Sequence, residues 1–195
     1  MASKTRPKIV ILISGPHGSG KTTVARAIAR RLGLRYLSSG EIFRRKAEEM
    51  GMDLIEFTKY VEKNPEIDYE IDNITKREIR KGDVVFDSQL AYFFAKEIVD
   101  PSIIKISIMI YASFDERVRR LMKREGISYE EASEEITVRE RSEQKRFKKL
   151  YGVDLWNLDD FDVVINTSQM DKDDAIELCL GIVEKLINAR KKQIA

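Results

Sequence analysis

One cysteine (Cys179), one histidine (His17) and one tryptophan (Trp156) stand among 195 residues. A single thiol excludes an internal disulfide and any cysteine metal site, and it suits a reducing compartment. With no catalytic Ser, Cys or His constellation around it, the lone histidine points away from covalent catalysis. Long hydrophobic runs are missing too. The basic start Met1 to Lys8 leads into only five consecutive apolar residues, Ile9 to Ile13, too short for a signal-peptide core, and no span reaches membrane length. A cytoplasmic protein without a membrane partner is expected. Nor is either charge in excess: 35 basic side chains face 33 acidic ones, so the overall balance demands no nucleic acid and any positive site must be local. Repeats and low-complexity linkers are absent, which leaves a single domain over 1–195. Abundant Lys, Arg and Glu with few Asn and Gln hint at a thermophilic source.

What is present begins with Gly15-Pro16-His17-Gly18-Ser19-Gly20-Lys21-Thr22-Thr23, placed between the apolar run Ile9 to Ile13 and the stripe Val24, Ala25, Ile28, Ala29, Leu32. This is the G-x-x-x-x-G-K-T spacing of a phosphate-binding loop joining a strand to a helix. Its glycines let backbone N–H groups turn inward around a β-phosphate, its lysine reaches the β- and γ-phosphates, and Thr22 offers a hydroxyl to Mg²⁺. Gly15 to Thr23 are therefore the candidate ATP-binding residues. His17 fills a variable slot of the loop and reads as a tolerated loop residue.

Strand-like runs at Lys8 to Ser14, Arg35 to Ser38, Asp83 to Asp87, Ile103 to Tyr111 and Asp162 to Asn166 alternate with amphipathic helices. That alternation predicts an α/β fold, a five-stranded parallel sheet with helices on both faces. Ser113-Phe114-Asp115-Glu116 and Ser128-Tyr129-Glu130-Glu131 have the capping-box form, and Asn64-Pro65 puts proline at a first helical position. Gly33, Gly51, Gly82 and Gly126 mark helix stops. Residues 39–82 hold three helical stretches with no strand between them, more than a plain crossover needs. They read as an inserted substrate-binding arm, and 128–152 as a lid.

Arg139, Glu143 and Arg146 are spaced to share one face of the lid helix, with Arg141, Lys145, Lys148 and Lys149 nearby. Arginines on a lid can neutralise the charge that develops in phosphoryl transfer. The alternative is a solvated helix laced by Glu143 pairs to Arg139 and Arg146. Ser39-Gly40-Glu41-Ile42-Phe43-Arg44 opens the arm at the carboxyl edge of the sheet, where open α/β folds bind ligands, so Arg44 is a candidate for a second substrate's phosphate. Asp87 ends the third strand, a position suited to a carboxylate that holds Mg²⁺ through water.

Together with Pro65-Glu66-Ile67-Asp68, Asp72, Arg139-Glu140-x-x-Glu143-x-x-Arg146 and Tyr151-Gly152-Val153-Asp154 leading to Val164-Ile165-Asn166-Thr167-Ser168, these motifs resemble archaeal-type cytidylate kinases over nearly the whole chain. The resemblance implies a nucleoside monophosphate kinase fold acting on the small-molecule nucleotides ATP and CMP or dCMP with Mg²⁺; a monomer is expected. It implies that Lys21, Arg139 and Arg146 are catalytic, that Thr22 and Asp87 serve the metal, and that Ser39, Gly40, Arg44, Asp68, Asp72 and Gln89 bind the acceptor. Asp68 or Asp72 would accept the cytosine amino group. One departure concerns Asp87-Ser88-Gln89-Leu90-Ala91, where related kinases usually carry a phosphate-clamping arginine. Gln89 can hydrogen-bond but cannot neutralise an anion. Either Arg77 or Arg80 supplies that charge, or substrate preference and rate differ from the family's. AMP or UMP as acceptor remains open, as does an ATP-dependent switch acting on an RNA-linked macromolecule.

Overall fold

The computed structural model describes residues 6–194; the residues 1–5 that begin the basic start lie outside them. Five strands, β1 (Lys8–Ser14), β2 (Arg35–Ser38), β3 (Val84–Asp87), β4 (Ile103–Tyr111) and β5 (Val163–Asn166), form one sheet in the order β2-β3-β1-β4-β5. Every pairing is parallel. Two strands start one residue later than their apolar runs suggest, and both times an aspartate is the cause. Asp83 turns into positive φ (50°) and accepts the Ile9 N–H at 3.1 Å, while the Asp162 carboxylate accepts the Ser107 N–H at 2.8 Å. In each case a side chain supplies the bond that a backbone carbonyl of the ladder would otherwise make.

Successive residues of the central strands enter opposite layers, as the period of two requires. Ile9, Ile11 and Ile13 join Ile104, Ile106, Ile108 and Ile110 in a core covered by α1 (Lys21–Leu32) and α8 (Lys172–Ile194), where Cys179 is buried. Val10, Leu12, Val84 and Phe86 face the other layer, against α5 (Ala91–Ala95) and Ile79 of α4 (Glu66–Lys81). With both faces covered, each buried aliphatic side chain contributes about 1.5–3 kcal/mol relative to exposure.

Between β2 and β3 run α2 (Ser39–Glu49), α3 (Leu54–Val61) and α4, which enclose a small core of Ala47, Phe57 and Val61 with Phe43 packed on it. Asp53 and Glu56 close a capping box on α3 that the sequence reading did not single out. Pro65 is the N-cap of α4, one position earlier than expected. After β4 come α6 (Phe114–Glu125) and α7 (Tyr129–Tyr151), the latter one unbroken helix of 23 residues with the Ser128–Glu131 box formed. The matching box at Ser113 is not made. Glu116 is drawn instead to Arg120 at 3.0 Å, and the Ser113 N–H donates to Ser168. No helix among the described residues is long and apolar enough to cross a membrane.

Gly15, directly after β1, has φ +146°, and a Cβ there would stand 1.9 Å from the Ile110 carbonyl oxygen of β4. Glycine is thus required where the central strand gives way to the phosphate loop. Gly15→Ala is expected to destabilise the fold by about 3 kcal/mol or more, visible as a lower urea midpoint at unchanged slope. A midpoint equal to the parent's would show that the strand exit relaxes freely.

Candidate active site

The sequence pattern at the end of β1 produces a tight loop. Gly20 is the N-cap of α1 with φ 95°, and no side chain caps the first helical N–H groups. They are left for an anion, as is the positive end of the helix dipole. Gly18, at φ +80°, lets the Arg117 carbonyl approach; a Cβ would meet it at 2.7 Å. Ser19 Oγ is buried without a partner among the described residues. The Lys21 ammonium donates to the Pro16 carbonyl at 3.3 Å, and burial pulls its pKa down, with Asp87 and Glu143 opposing. Thr22 donates to Asp87 Oδ2 at 2.5 Å, joining the loop to the end of β3.

Two arginines of α6 brace the loop from behind. Arg117 donates to the carbonyls of His17 (3.0 Å) and Ala112 (3.2 Å), and Arg120 to those of Ser19 (3.0 Å) and Thr167 (2.7 Å). Glu140 of α7 completes the brace by accepting from the His17 N–H at 2.9 Å and from Arg117 at 2.5 Å. Its burial pushes the Glu140 carboxyl upward against the pull of Arg117. Neither Arg117 nor Arg120 was singled out from sequence. The available signal was that Arg117 falls in step with Val118 and Leu121 on the apolar face of α6, an arginine where a core residue belongs.

His17 is more than a tolerated loop residue. Its Nε2 lies 3.1 Å from both oxygens of Glu143, and burial, then Arg139, pushes the imidazole down to about 4. The ring is therefore neutral at pH 7 and donates to a carboxylate that Arg139 and Arg146 help keep ionised despite its burial. Glu143 also accepts from Gln89 at 3.4 Å, and Gln89 Oε1 accepts from Ser14 at 3.3 Å. The alternative reading, a helix laced by Glu143 salt bridges to Arg139 and Arg146, is not what forms. Arg139 pairs with Glu135 at 2.9 Å and Arg146 with Asp68 at 2.8 Å. Lys145 turns to Glu62 at the end of α3, and Arg141, Lys148 and Lys149 are exposed, so the cationic stripe is not one surface.

Two cavities meet at this point. A cleft of about 540 Å³ runs from the loop past Thr23, Arg120 and Arg124 to Thr167 and Met170. A narrower one of about 70 Å³ lies between α2, α4 and α7, bordered by Ser39, Gly40, Asp68, Asp72, Gln89 and Phe147. Lys21, Thr22, Arg44 and Arg139 line both. Arg139 is 4% exposed, and its Nε–H is buried without an acceptor among the described residues. Burial, with Arg139 close by, lowers the Arg44 pKa. Arg146, by contrast, lies outside both linings, occupied by Asp68 and by Ser142 at 2.5 Å. Arg77 and Arg80 do not supply the charge that Gln89 lacks. Both are exposed away from the cavities, and Arg77 pairs with Glu78 at 3.2 Å.

The arrangement, an anion-binding helix terminus flanked by two cavities with shared cations, suits a nucleotide and a second anionic substrate held end to end. Comparison with known proteins agrees. The model of the cytidylate kinase-like family matches residues 10–169. A cytidylate kinase of Ignicoccus hospitalis is 44% identical over 168 residues, covering 86% of this chain and 95% of that protein. One of Methanopyrus kandleri is 42% identical over 183 residues, covering 92% and 95%. Among solved structures, a gluconokinase from Sinorhizobium meliloti superposes with a TM-score of 0.62 at 14% identity, covering 97% of this chain and 99% of that one, a likeness of fold alone. On the family match and these identities, the chain belongs to the cytidylate kinase-like family of phosphotransferases.

Proposed function

We propose that the chain transfers the γ-phosphoryl group of ATP to CMP or dCMP, giving ADP and CDP or dCDP. The observation that carries this reading is the buried, unpartnered Arg139 N–H at the junction of the two cavities. An orphaned guanidinium donor costs about 1–3 kcal/mol or more, and a phosphoryl oxygen would satisfy it. ATP takes the larger cleft, its β- and γ-phosphates on the N-terminus of α1 and Lys21, its base between Arg120 and Met170. The acceptor takes the narrower cavity beneath α2 to α4, which serve as its arm, with α7 as the lid. That cavity is smaller than a nucleotide, so entry requires the arm and lid to part.

Arg44 and Arg139 hold the acceptor phosphate in line with the γ-phosphorus. One acceptor oxygen bonds to that phosphorus as its bond to the β–γ bridging oxygen breaks, and Lys21 takes up the charge gathering on ADP. The acceptor phosphate is largely dianionic at pH 7, so no general base is needed. Thr22 and Asp87 fit a Mg²⁺ site: a hydroxyl and a carboxylate already touching, with no cluster of three metal-binding side chains among the described residues. Mg²⁺ characteristically takes few protein oxygens and completes its shell with phosphates and water. When bound, it would neutralise phosphate charge and orient the β- and γ-phosphates. Arg146 is assigned a holding role, tying the lid to the arm through Asp68. In this reading the enzyme works in the cytoplasm.

A coupled assay for ADP is expected to show CMP and dCMP as better acceptors than UMP and AMP, with little ATP turnover when no acceptor is present. Rapid hydrolysis without acceptor would instead support an ATPase switch. Lys21→Ala should remove most activity while the protein stays folded, since the side chain enters a ligand space rather than the core.

Arg139→Ala is expected to lower kcat by about 10²–10³-fold with little change in the KM for ATP. Arg146→Ala should act differently, raising the KM for CMP and lowering thermal stability because it strands Asp68. Equal kcat losses in both variants would return Arg146 to the transferring group.

A further inference from the structure

Asp68 and Asp72 lie one turn apart on α4, and both border the narrower cavity, yet they are held differently. Asp68 is neutralised by Arg146 at 2.8 Å. Among the described residues Asp72 has no cation within salt-bridge distance. Its one side-chain hydrogen bond is donated by the Tyr151 hydroxyl to Oδ2, at 2.6 Å. Tyr151 is the last residue of α7, and aromatic neighbours fix its ring: Phe94 at 5.5 Å between centroids, Phe93 at 6.0 Å and Tyr69 at 6.4 Å. A phenol so confined keeps one carboxylate oxygen occupied and leaves the other as the free acceptor.

Resting on the cytidylate kinase reading, we propose that Tyr151 and Asp72 together read the acceptor base. The phenol fixes the carboxylate so that its free oxygen accepts the N4 amine of cytosine, and a proton taken up by Asp72 turns that oxygen into a donor that fits the O4 carbonyl of uracil. A site built to receive an N–H rejects an analogue lacking it by as much as about 10⁴–10⁵-fold, because the buried acceptor is left unpaired. The neutral acid meets no such penalty with a carbonyl.

Asp72 is poised for this exchange. Burial drives its carboxyl up to about 7; the Tyr151 hydrogen bond opposes the rise and Asp68 adds to it. The other charges facing it, Lys76 one turn further along α4 and Arg146 on α7, favour the ionised form, and Arg44 borders the same cavity from α2. The sign follows directly. Above neutrality Asp72 is an anion and selects cytosine; on acidification it becomes neutral and the preference relaxes. Removing the phenol withdraws a hydrogen bond from the charged form, so the midpoint should move to higher pH.

The test measures kcat/KM for CMP and for UMP from about pH 5.5 to about pH 8.5 in the parent, Tyr151→Phe and Asp72→Asn, at saturating ATP and Mg²⁺. Taking the ratio of the two acceptors cancels every titration they share, including those of their phosphates. In the parent the CMP to UMP ratio should fall about tenfold or more toward acid. Tyr151→Phe should shift that fall to higher pH, and Asp72→Asn should give a low ratio independent of pH. Carbon-13 NMR of the Asp72 carboxyl in the free protein provides a readout without turnover, with a midpoint near neutrality that rises in Tyr151→Phe. A flat ratio with brisk CMP turnover, or a carboxyl midpoint near the ordinary value of about 4, overturns this inference and leaves the kinase reading standing. No CMP-dependent ADP formation at any pH overturns the kinase reading, and with it this one.

Discussion

Positive charge buried in a cleft needs an opposite charge beside it until a phosphate arrives, and much of this molecule is arranged around that need. Arg139 leans on Glu135, Arg117 on Glu140 and Arg146 on Asp68, while Lys21 has Asp87 and Glu143 in its field. Most of these carboxylates come from α7, whose arginines and glutamates alternate around its buried side. The chain is nearly neutral overall, so this concentration is achieved by placement and not by composition. Where the compensation is incomplete, at the Arg139 Nε–H and at Arg44, the shortfall lies where the two cavities join.

The phosphate loop is held as firmly by what lies behind it as by its own glycines. Arg117, Arg120 and Glu140 take three of its backbone groups, so its shape is fixed by α6 and α7 before any nucleotide enters. Such preorganisation matters because phosphoryl transfer depends on positioning and charge more than on covalent chemistry. Helices α2 to α4 have their own small core at Phe57 and Val61, and they meet α7 through the pairs Arg146–Asp68, Lys145–Glu62 and Tyr151–Asp72 as well as through apolar contacts, Tyr69 against Tyr151 and Ile79 in one core with Phe147.

How much of this was legible beforehand depended on the kind of signal. The five strands and the phosphate loop are local patterns, runs of Ile and Val punctuated by glycine, and their succession along the chain could be read directly. The one-residue errors at Asp83 and Asp162 arose where a side chain replaced a backbone partner, which apolar patterning does not register. Partner choice among charges was harder. Glu143 sits at the right spacing to pair with either arginine of its own helix, yet it turns to His17, 126 positions away in sequence. An intrahelical pair is worth only a few tenths of a kcal/mol, so tertiary packing decides the outcome. For the same reason Arg77 and Arg80 were poor candidates to replace the charge missing at Gln89. The exposed side of α4 carries them away from the cavity that its Asp68 and Asp72 border.

The unbroken course of α7 has a mechanical consequence. A helix of 23 residues is a rod about 35 Å long, stiff compared with a loop of the same length. Near its middle Glu140 grips the peptide of His17, and at its end Tyr151 touches Asp72 at the border of the narrower cavity. A tilt of the rod about the first contact must displace the second. The phosphate loop and Asp72 are therefore joined through one rigid element, with no chain of side chains needed between them.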